Sequence, residues 1–347
     1  MAYTTIKKPS DYFNTKLWSG NSTTSTGITG VGFQPDLVWI KNRTDVNNHA
    51  LFDVIRSATN YIESDTTDAE ATNSEFLQSF DSDGFTLGNA GRVNISGATY
   101  VGWNWLASNT TASNTQGSIT STVSANTTSG FSIVSYTGTG SVATVGHGLG
   151  VAPSIIFVKR TDTSANWIVG NTPIGWTDRM NLNQTNATAS SSTHWNNTAP
   201  TSSVFTVGTD GSTNASGGSF VAYCFSNIKG FSKIGKYTGN GNADGTFVYT
   251  GFKPAFILGK ITSGTSAASE NWFIYDDKRN TFNPTYNVLF PNLSQAEGAN
   301  SAQSLDLLSN GFKARSVETR FNESGSTYIY MAFAEEPLVG DNPATAR

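Results

Sequence analysis

His49, His147 and His194 are the only histidines, and no two share the i,i+4 spacing that sets a pair of imidazoles around zinc on one helix face. His147, in Gly146-His147-Gly148, reads as a turn residue. Cys224 is the single cysteine, so no intrachain disulfide and no cysteine metal site is expected. It alternates with Phe220 and Ala222 along one strand, as a small buried side chain would. The chain has neither a Gly-x-Ser-x-Gly elbow nor a Gly-x4-Gly-Lys-Ser/Thr phosphate cradle. Glycoside hydrolysis needs two carboxylates roughly 5–10 Å apart, and Asp53, Glu63, Asp65 and Asp68, or Asp276 and Asp277, supply candidates that sequence cannot place across a cleft. Asp81-Ser82-Asp83-Gly84 looks like half a calcium loop without the later glutamate, and a turn is the simpler reading. Lys41, Lys159 and Lys260 fall at one offset after Pro35, Pro153 and Pro254. A catalytic lysine needs a desolvated pocket and a partner, so a charge emerging where a strand meets solvent is expected instead. Trp176, His194 and Trp195 could form an exposed aromatic surface for glycan contact, with burial the equal alternative. No catalytic, cofactor-binding or metal residue is assigned, no cofactor is expected, and the protein is read as not an enzyme.

The elements behind these residues come in triplicate. Asn94-Ile95-Ser96-Gly97-Ala98-Thr99-Tyr100-Val101 returns as Asn214-Ala215-Ser216-Gly217-Gly218-Ser219-Phe220-Val221 and as Asn322-Glu323-Ser324-Gly325-Ser326-Thr327-Tyr328-Ile329. Small polar residues and a glycine make a turn, and the aromatic/β-branched pair opens each repeat's closing strand, Tyr100 to Trp105, Phe220 to Phe225 and Tyr328 to Phe333. Each repeat opens alike, at Phe13, Phe131 and Phe231, with an aromatic-Ser/Thr-Gly triplet close behind. The prolines then introduce apolar runs, Leu37 to Lys41, Ile155 to Lys159 and Phe256 to Lys260, which fit a central strand buried on both faces. Ile62, Leu182 and Leu289 precede Phe85, Phe205 and Phe312 by one constant interval of 23 residues (62 to 85, 182 to 205, 289 to 312). Ala69 to Phe80 has the composition for a turn or two of helix, absent from the second copy. The repeated turn residues preserve architecture, and the copies share no polar cluster.

Spacings of 118 residues from Phe13 to Phe131 and 100 from Phe131 to Phe231 are whole small domains, too long for solenoid units. Short alternating strands with many Gly, Asn and Ser turns predict an all-β chain of three tandem antiparallel β-sandwich, jelly-roll-like repeats of six to eight strands each, with short or no helices. The expected division is an N-terminal arm over 1–11, repeats over 12–112, 113–228 and 229–334, and an extended tail over 335–347. Asn109 to Ser129, rich in Ser, Thr and Asn, is a leading linker with one possible hairpin. Short linkers favour a compact threefold cluster over an in-line array.

Charged residues make up only 13% of the 347, and 21 Phe, 12 Tyr and 8 Trp give aromatic mass for three cores. A net charge of −4 without a Lys/Arg run argues against nucleic acid. No apolar run reaches the roughly 18–20 residues of a bilayer span and no signal-peptide core opens the chain, so a soluble protein made in a cytoplasm, without membrane insertion, is expected.

Asp11-Tyr12-Phe13-Asn14-Thr15-Lys16-Leu17-Trp18-Ser19-Gly20-Asn21, Phe33-Gln34-Pro35-Asp36-Leu37-Val38-Trp39-Ile40-Lys41 and Ser79-Phe80-Asp81-Ser82-Asp83-Gly84-Phe85-Thr86-Leu87-Gly88 together carry a resemblance, as does Phe220-Val221-Ala222-Tyr223-Cys224-Phe225. Across nearly its whole length the chain resembles repeat-bearing virion structural proteins, tail-fibre-like, of tailed phages that infect marine and freshwater bacteria. The resemblance implies a non-enzymatic component of the virion surface, of tail-fibre, adhesin or tail-associated type and used in host attachment. A capsid decoration or head-fibre protein, or a glycan-binding or glycan-degrading tail protein, are the alternatives it leaves. Its implied partners are other virion proteins of tail or capsid, further copies of itself and a host surface glycan.

Overall fold

The computed structural model describes residues 4–339 and 343–345. Every strand ladder in it is antiparallel, so the all-β expectation holds. Each third of the chain builds one large sheet in a common order: opening strand, closing strand, central strand, second strand. In the first these are Phe13–Ser19, Thr99–Trp105, Leu37–Asn42 and Ala50–Asp53. In the second they are Phe131–Thr137, Ser219–Phe225, Ile155–Arg160 and Ile168–Asn171. The third uses Ser232–Thr238, Thr327–Pro337, Phe252–Ser263 and Phe273–Asp276. A small sheet covers one face of each, built around Gly84–Leu87, Val204–Val207 and Gly311–Ala314, which carry Phe85, Phe205 and Phe312.

The other face of each large sheet explains the strands buried on both sides. Along the central strands Val38 and Ile40, Ile156 and Val158, and Ile257 face a private core under the small sheet. Leu37 and Trp39, Ile155 and Phe157, and Phe256 and Leu258 all enter one further core shared by the three modules. Ile62, Leu182 and Leu289 enter it too. The closing strands meet at its middle, each contributing a ring: Trp105, Phe225 and Phe333 contact one another pairwise at 5.7–6.1 Å between centroids, edge to face. The arrangement is thus a ring of three modules around an aromatic hub.

The repeated turn holds each opening strand to its closing strand. Trp18, Tyr136 and Tyr237 stack on Tyr100, Phe220 and Tyr328 at 5.5, 5.1 and 4.9 Å. Each donates to a carbonyl ahead of the turn, of Val93, Thr213 and Phe321. The next residues but one, Gly20, Gly138 and Gly239, must be glycine, because a Cβ would lie 2.1–2.3 Å from the carbonyl oxygens of Ile95, Ala215 and Glu323. Asn94, Asn214 and Asn322 are wholly buried. Their Oδ1 atoms accept from the N–H groups of Asn21, Thr139 and Asn240, while Nδ2 donates to Gly88, Gly208 and Ser316. Gly97, Gly217 and Gly325 complete the turn at φ +86°, +72° and +76°, with open space at the Cβ position, so they are needed for conformation alone.

Several local expectations change. Among the described residues the modules hold nine or ten strands, not six to eight, because short edge strands extend the first two large sheets and the third module adds a separate two-stranded sheet. Ala69 to Phe80 forms no helix: it contains the strands Ala71–Thr72 and Leu77–Asp81, whose pairing outweighs helix propensity. Instead, four-residue helices end on the turn asparagines, at Gly91–Asn94, Gly211–Asn214 and Thr319–Asn322. The possible hairpin is Ala112–Asn114 with Ser121–Asn126, extending the second large sheet. Pro35 and Pro153 precede their strands, whereas Pro254 sits within one, at a register shift. Met1 to Tyr3 of the arm lie outside the described residues, but Ile6 is buried in the shared core, so the arm is no free segment. Of the tail, Glu336 and Pro337 stay in the sheet opposite Lys253 and Phe252; 340–342 and 346–347 lie outside the described residues.

Candidate functional site

The chemistry-bearing side chains gather where modules meet. At the start of each second strand a ring nitrogen reaches a backbone carbonyl of the neighbouring module: Trp167 Nε1 donates to Glu63 at 2.7 Å and Trp272 Nε1 to Asn181 at 2.9 Å. His49 takes the same place in the first module. Its Nδ1 accepts from Trp39 Nε1 at 2.9 Å, so the hydrogen sits on Nε2, which donates to Phe290 at 3.0 Å. Complete burial holds its pKa well below the usual histidine value, keeping the ring neutral.

The three lysines do not emerge into solvent, which corrects the sequence expectation: Lys41, Lys159 and Lys260 are fully buried. Lys41 Nζ donates to the carbonyls of Asn42, Asn47 and, in the third module, Ser294. Lys159 does so to Arg160, Ala165 and, in the first module, Thr67. Lys260 reaches Ile261 and Ala267. The first two strands end against a neighbour's loop and the third against a loop of its own module, and burial pushes all three ammonium groups down to about 8.

A polar cluster is shared after all, by two copies. Asp53 and Arg56 pair at 2.6 Å, Arg56 reaches Glu70 at 3.0 Å and the Leu51 carbonyl at 3.0 Å, and Tyr223 of the second module donates to Asp53 at 2.7 Å. Asp276, Arg279, Glu297 and the Ile274 carbonyl repeat that set at 2.6, 2.9 and 3.0 Å, with Trp103 of the first module donating to Asp276 at 3.0 Å. The second module holds Asn171, Ile174 and Ser190 at those places, and the third module's Met331 faces where Tyr223 and Trp103 stand elsewhere. Among the described residues Asn171 Nδ2 is left without a partner. The whole set is absent together. An Asp-x-x-Arg spacing in two of three copies was the sequence signal for it.

All the hydrolase candidates but the exposed Asp68 are engaged elsewhere, Asp277 with Lys278 at 2.7 Å. Asp53 and Asp276 serve these networks, Glu63 pairs with Arg92, and Asp65 accepts from the His49 N–H at 3.0 Å, with its carboxyl pushed up to about 7 by burial. Asp83 accepts from the Gly30 and Gly32 N–H groups as a turn residue, and His147, buried, accepts from the Leu149 N–H. Trp176, His194 and Trp195 are buried in the second module's core, with the two indoles packed edge to face at 5.4 Å, so they form no exposed aromatic surface. Cys224 is buried, and its thiol is pushed up by burial. Among the described residues no group of three or more His, Cys, Asp or Glu could hold a metal ion, and no helix is long and apolar enough to cross a membrane. A hollow of about 320 Å³ opens at the first junction, lined by Arg56, Glu70, Thr122, Ser135, Thr137 and Thr161.

The chain belongs to a family described as a domain of unknown function (DUF7483), whose model matches residues 8–337. That span takes in all three modules. No curated protein and no solved structure matches the chain.

Proposed function

We propose that this is a non-enzymatic structural protein of a phage virion surface, of tail-fibre, adhesin or tail-associated type. The observation that carries the reading is what the repeated residues do: turn asparagines, hub rings, junction nitrogens and buried lysines all hold backbone to backbone or module to module. Together with the resemblance of the repeated stretches to virion structural proteins, this favours a molecule kept for its shape. A rigid ring with loops on its outside suits a part that is locked into a larger particle.

Purified particles imaged with antibody to this chain should carry label on the tail. Label on the head would replace the tail placement by capsid decoration, and unlabelled particles would reject the virion reading. Loss of host-polysaccharide depolymerisation on replacing one Asp or Glu would establish an enzyme instead.

A further inference from the structure

The two charged junctions differ at one residue. Arg43 and Thr161 each stand two places after the buried lysine and occupy one backbone position. Arg43 N–H donates to the Thr99 carbonyl and Thr161 N–H to the Ser219 carbonyl, both at 2.8 Å. Their own carbonyls accept from the neighbouring module's glutamate, Arg43 from the Glu297 N–H and Thr161 from the Glu70 N–H, both at 2.9 Å. The fold therefore presents a glutamate to this position in the same way twice. At the junction of the third and first modules the Arg43 guanidinium grips Glu297, with Nε on Oε2 at 3.0 Å and Nη2 on Oε1 at 2.8 Å. Arg279 Nη1 shares Oε2 at 2.9 Å, so two carboxylates meet two guanidinium groups. At the junction of the first and second modules the Thr161 hydroxyl turns to the Ser219 carbonyl at 3.2 Å. Arg56 Nη1 holds Glu70 Oε2 at 3.0 Å, and among the described residues nothing donates to Oε1. Asp53 and Glu70 thus share a single guanidinium. The second module's own set, Asn171, Ile174 and Ser190, carries no charge to balance.

The hollow of about 320 Å³ opens at this spot, bordered by both Glu70 and Thr161. Small-ligand sites run from about 300 to 1,000 Å³, so it has room for a side chain or a small cation. The Glu70 side chain is 25% exposed, against 10% for Glu297 beneath Arg43. Thr122, Ser135 and Thr137 line the same hollow, and their hydroxyl oxygens suit the N–H groups that a carboxylate leaves over. A planar guanidinium meets a carboxylate through two parallel hydrogen bonds, which a compact ammonium does not match. Glu297 shows that one glutamate of this fold carries two guanidinium groups at once. We propose that the hollow binds a guanidinium group from outside the chain, gripped by Glu70 as Glu297 grips Arg43. An arginine side chain of another protein and a free small guanidino compound both supply that chemistry, and the test separates them.

The test is a ligand-observed NMR titration of the whole chain with butylguanidine, with butylamine, which differs only in its cationic head, and with the peptide acetyl-Gly-Arg-Gly-amide. Butylguanidine should bind saturably and at least about fivefold more tightly than butylamine. T161R, which brings in the residue type that the first module uses, should weaken butylguanidine binding at least about tenfold without lowering the melting temperature. If T161R fails to fold, T137F places a ring at an exposed position on the hollow's wall and should block binding to the same extent. Peptide binding about tenfold tighter than that of butylguanidine assigns the site to an arginine of another protein, and equal or weaker binding assigns it to a small guanidino compound. The absence of saturable binding, equal binding of butylamine, or binding that survives in the folded variant overturns the proposal. None of these outcomes bears on the virion role, which particle labelling reads independently.

Discussion

Arg56 and Arg279 have no solvent in which to leave a charge, and each is held by two carboxylates and a strand carbonyl. Removing the cation alone strands a buried aspartate, so R56M and R279M should each lose about 3–5 kcal/mol in urea unfolding. At the equivalent place in the second module, I174M should lose less than about 1.5 kcal/mol, since no charge waits there. Asn214→Asp is a sharper probe of the turn: it keeps the shape but turns an oxygen toward the carbonyls of Ser141 and Gly208. It should cost more than Asn214→Ala, itself about 3 kcal/mol for three hydrogen bonds. The lysines give a pH signature. Their folded values near 8 lie below the ordinary 10.5, so between pH 8 and roughly 10 the unfolded chain holds protons that the folded chain has released. Unfolding then takes up protons and stability rises with pH across that window; the Cys224 thiol and phenols such as Tyr136, Tyr223 and Tyr237, all pushed up by burial, oppose the three amines only in part, toward its upper end. Urea midpoints should be higher at pH 9.5 than at 7.5, and K159M should reduce the difference by at least a third, since it removes one lysine of three and the opposing groups stay.

Turns and strands behave as elements with different tolerances. At Gly217 an added methyl meets nothing and only the positive φ resists it, so G217A should cost about 1–2 kcal/mol. At Gly138 the same methyl strikes the Ala215 carbonyl, and G138A should cost clearly more by forcing the turn off the strand. Both glycines were legible in the sequence because they recur at fixed offsets from aromatic residues. So were the closing strands and the constant interval before Phe85, Phe205 and Phe312. Burial of Lys41 was not, since a strand ending in water and one ending under a neighbour's loop have the same local pattern. The aspartate–arginine networks hid for another reason: the second copy lacks them, and triplicate spacing was the guide. Trp176 and Trp195 stand among polar residues in the chain, and only folding brings them together inside a core.

Across the whole molecule, the largest apolar cluster belongs to no single module. Trp105, Phe225 and Phe333 each see the other two, so loosening one closing strand unpacks a face of every sheet. Three sandwiches on linkers would melt independently; three sandwiches around one hub should not. The deciding measurement is differential scanning calorimetry of the wild type and F225A. A single transition is predicted, moved down as a whole in F225A by the equivalent of about 3–5 kcal/mol. Separate transitions, with only one of them shifted by the substitution, would contradict the shared core on which this account stands.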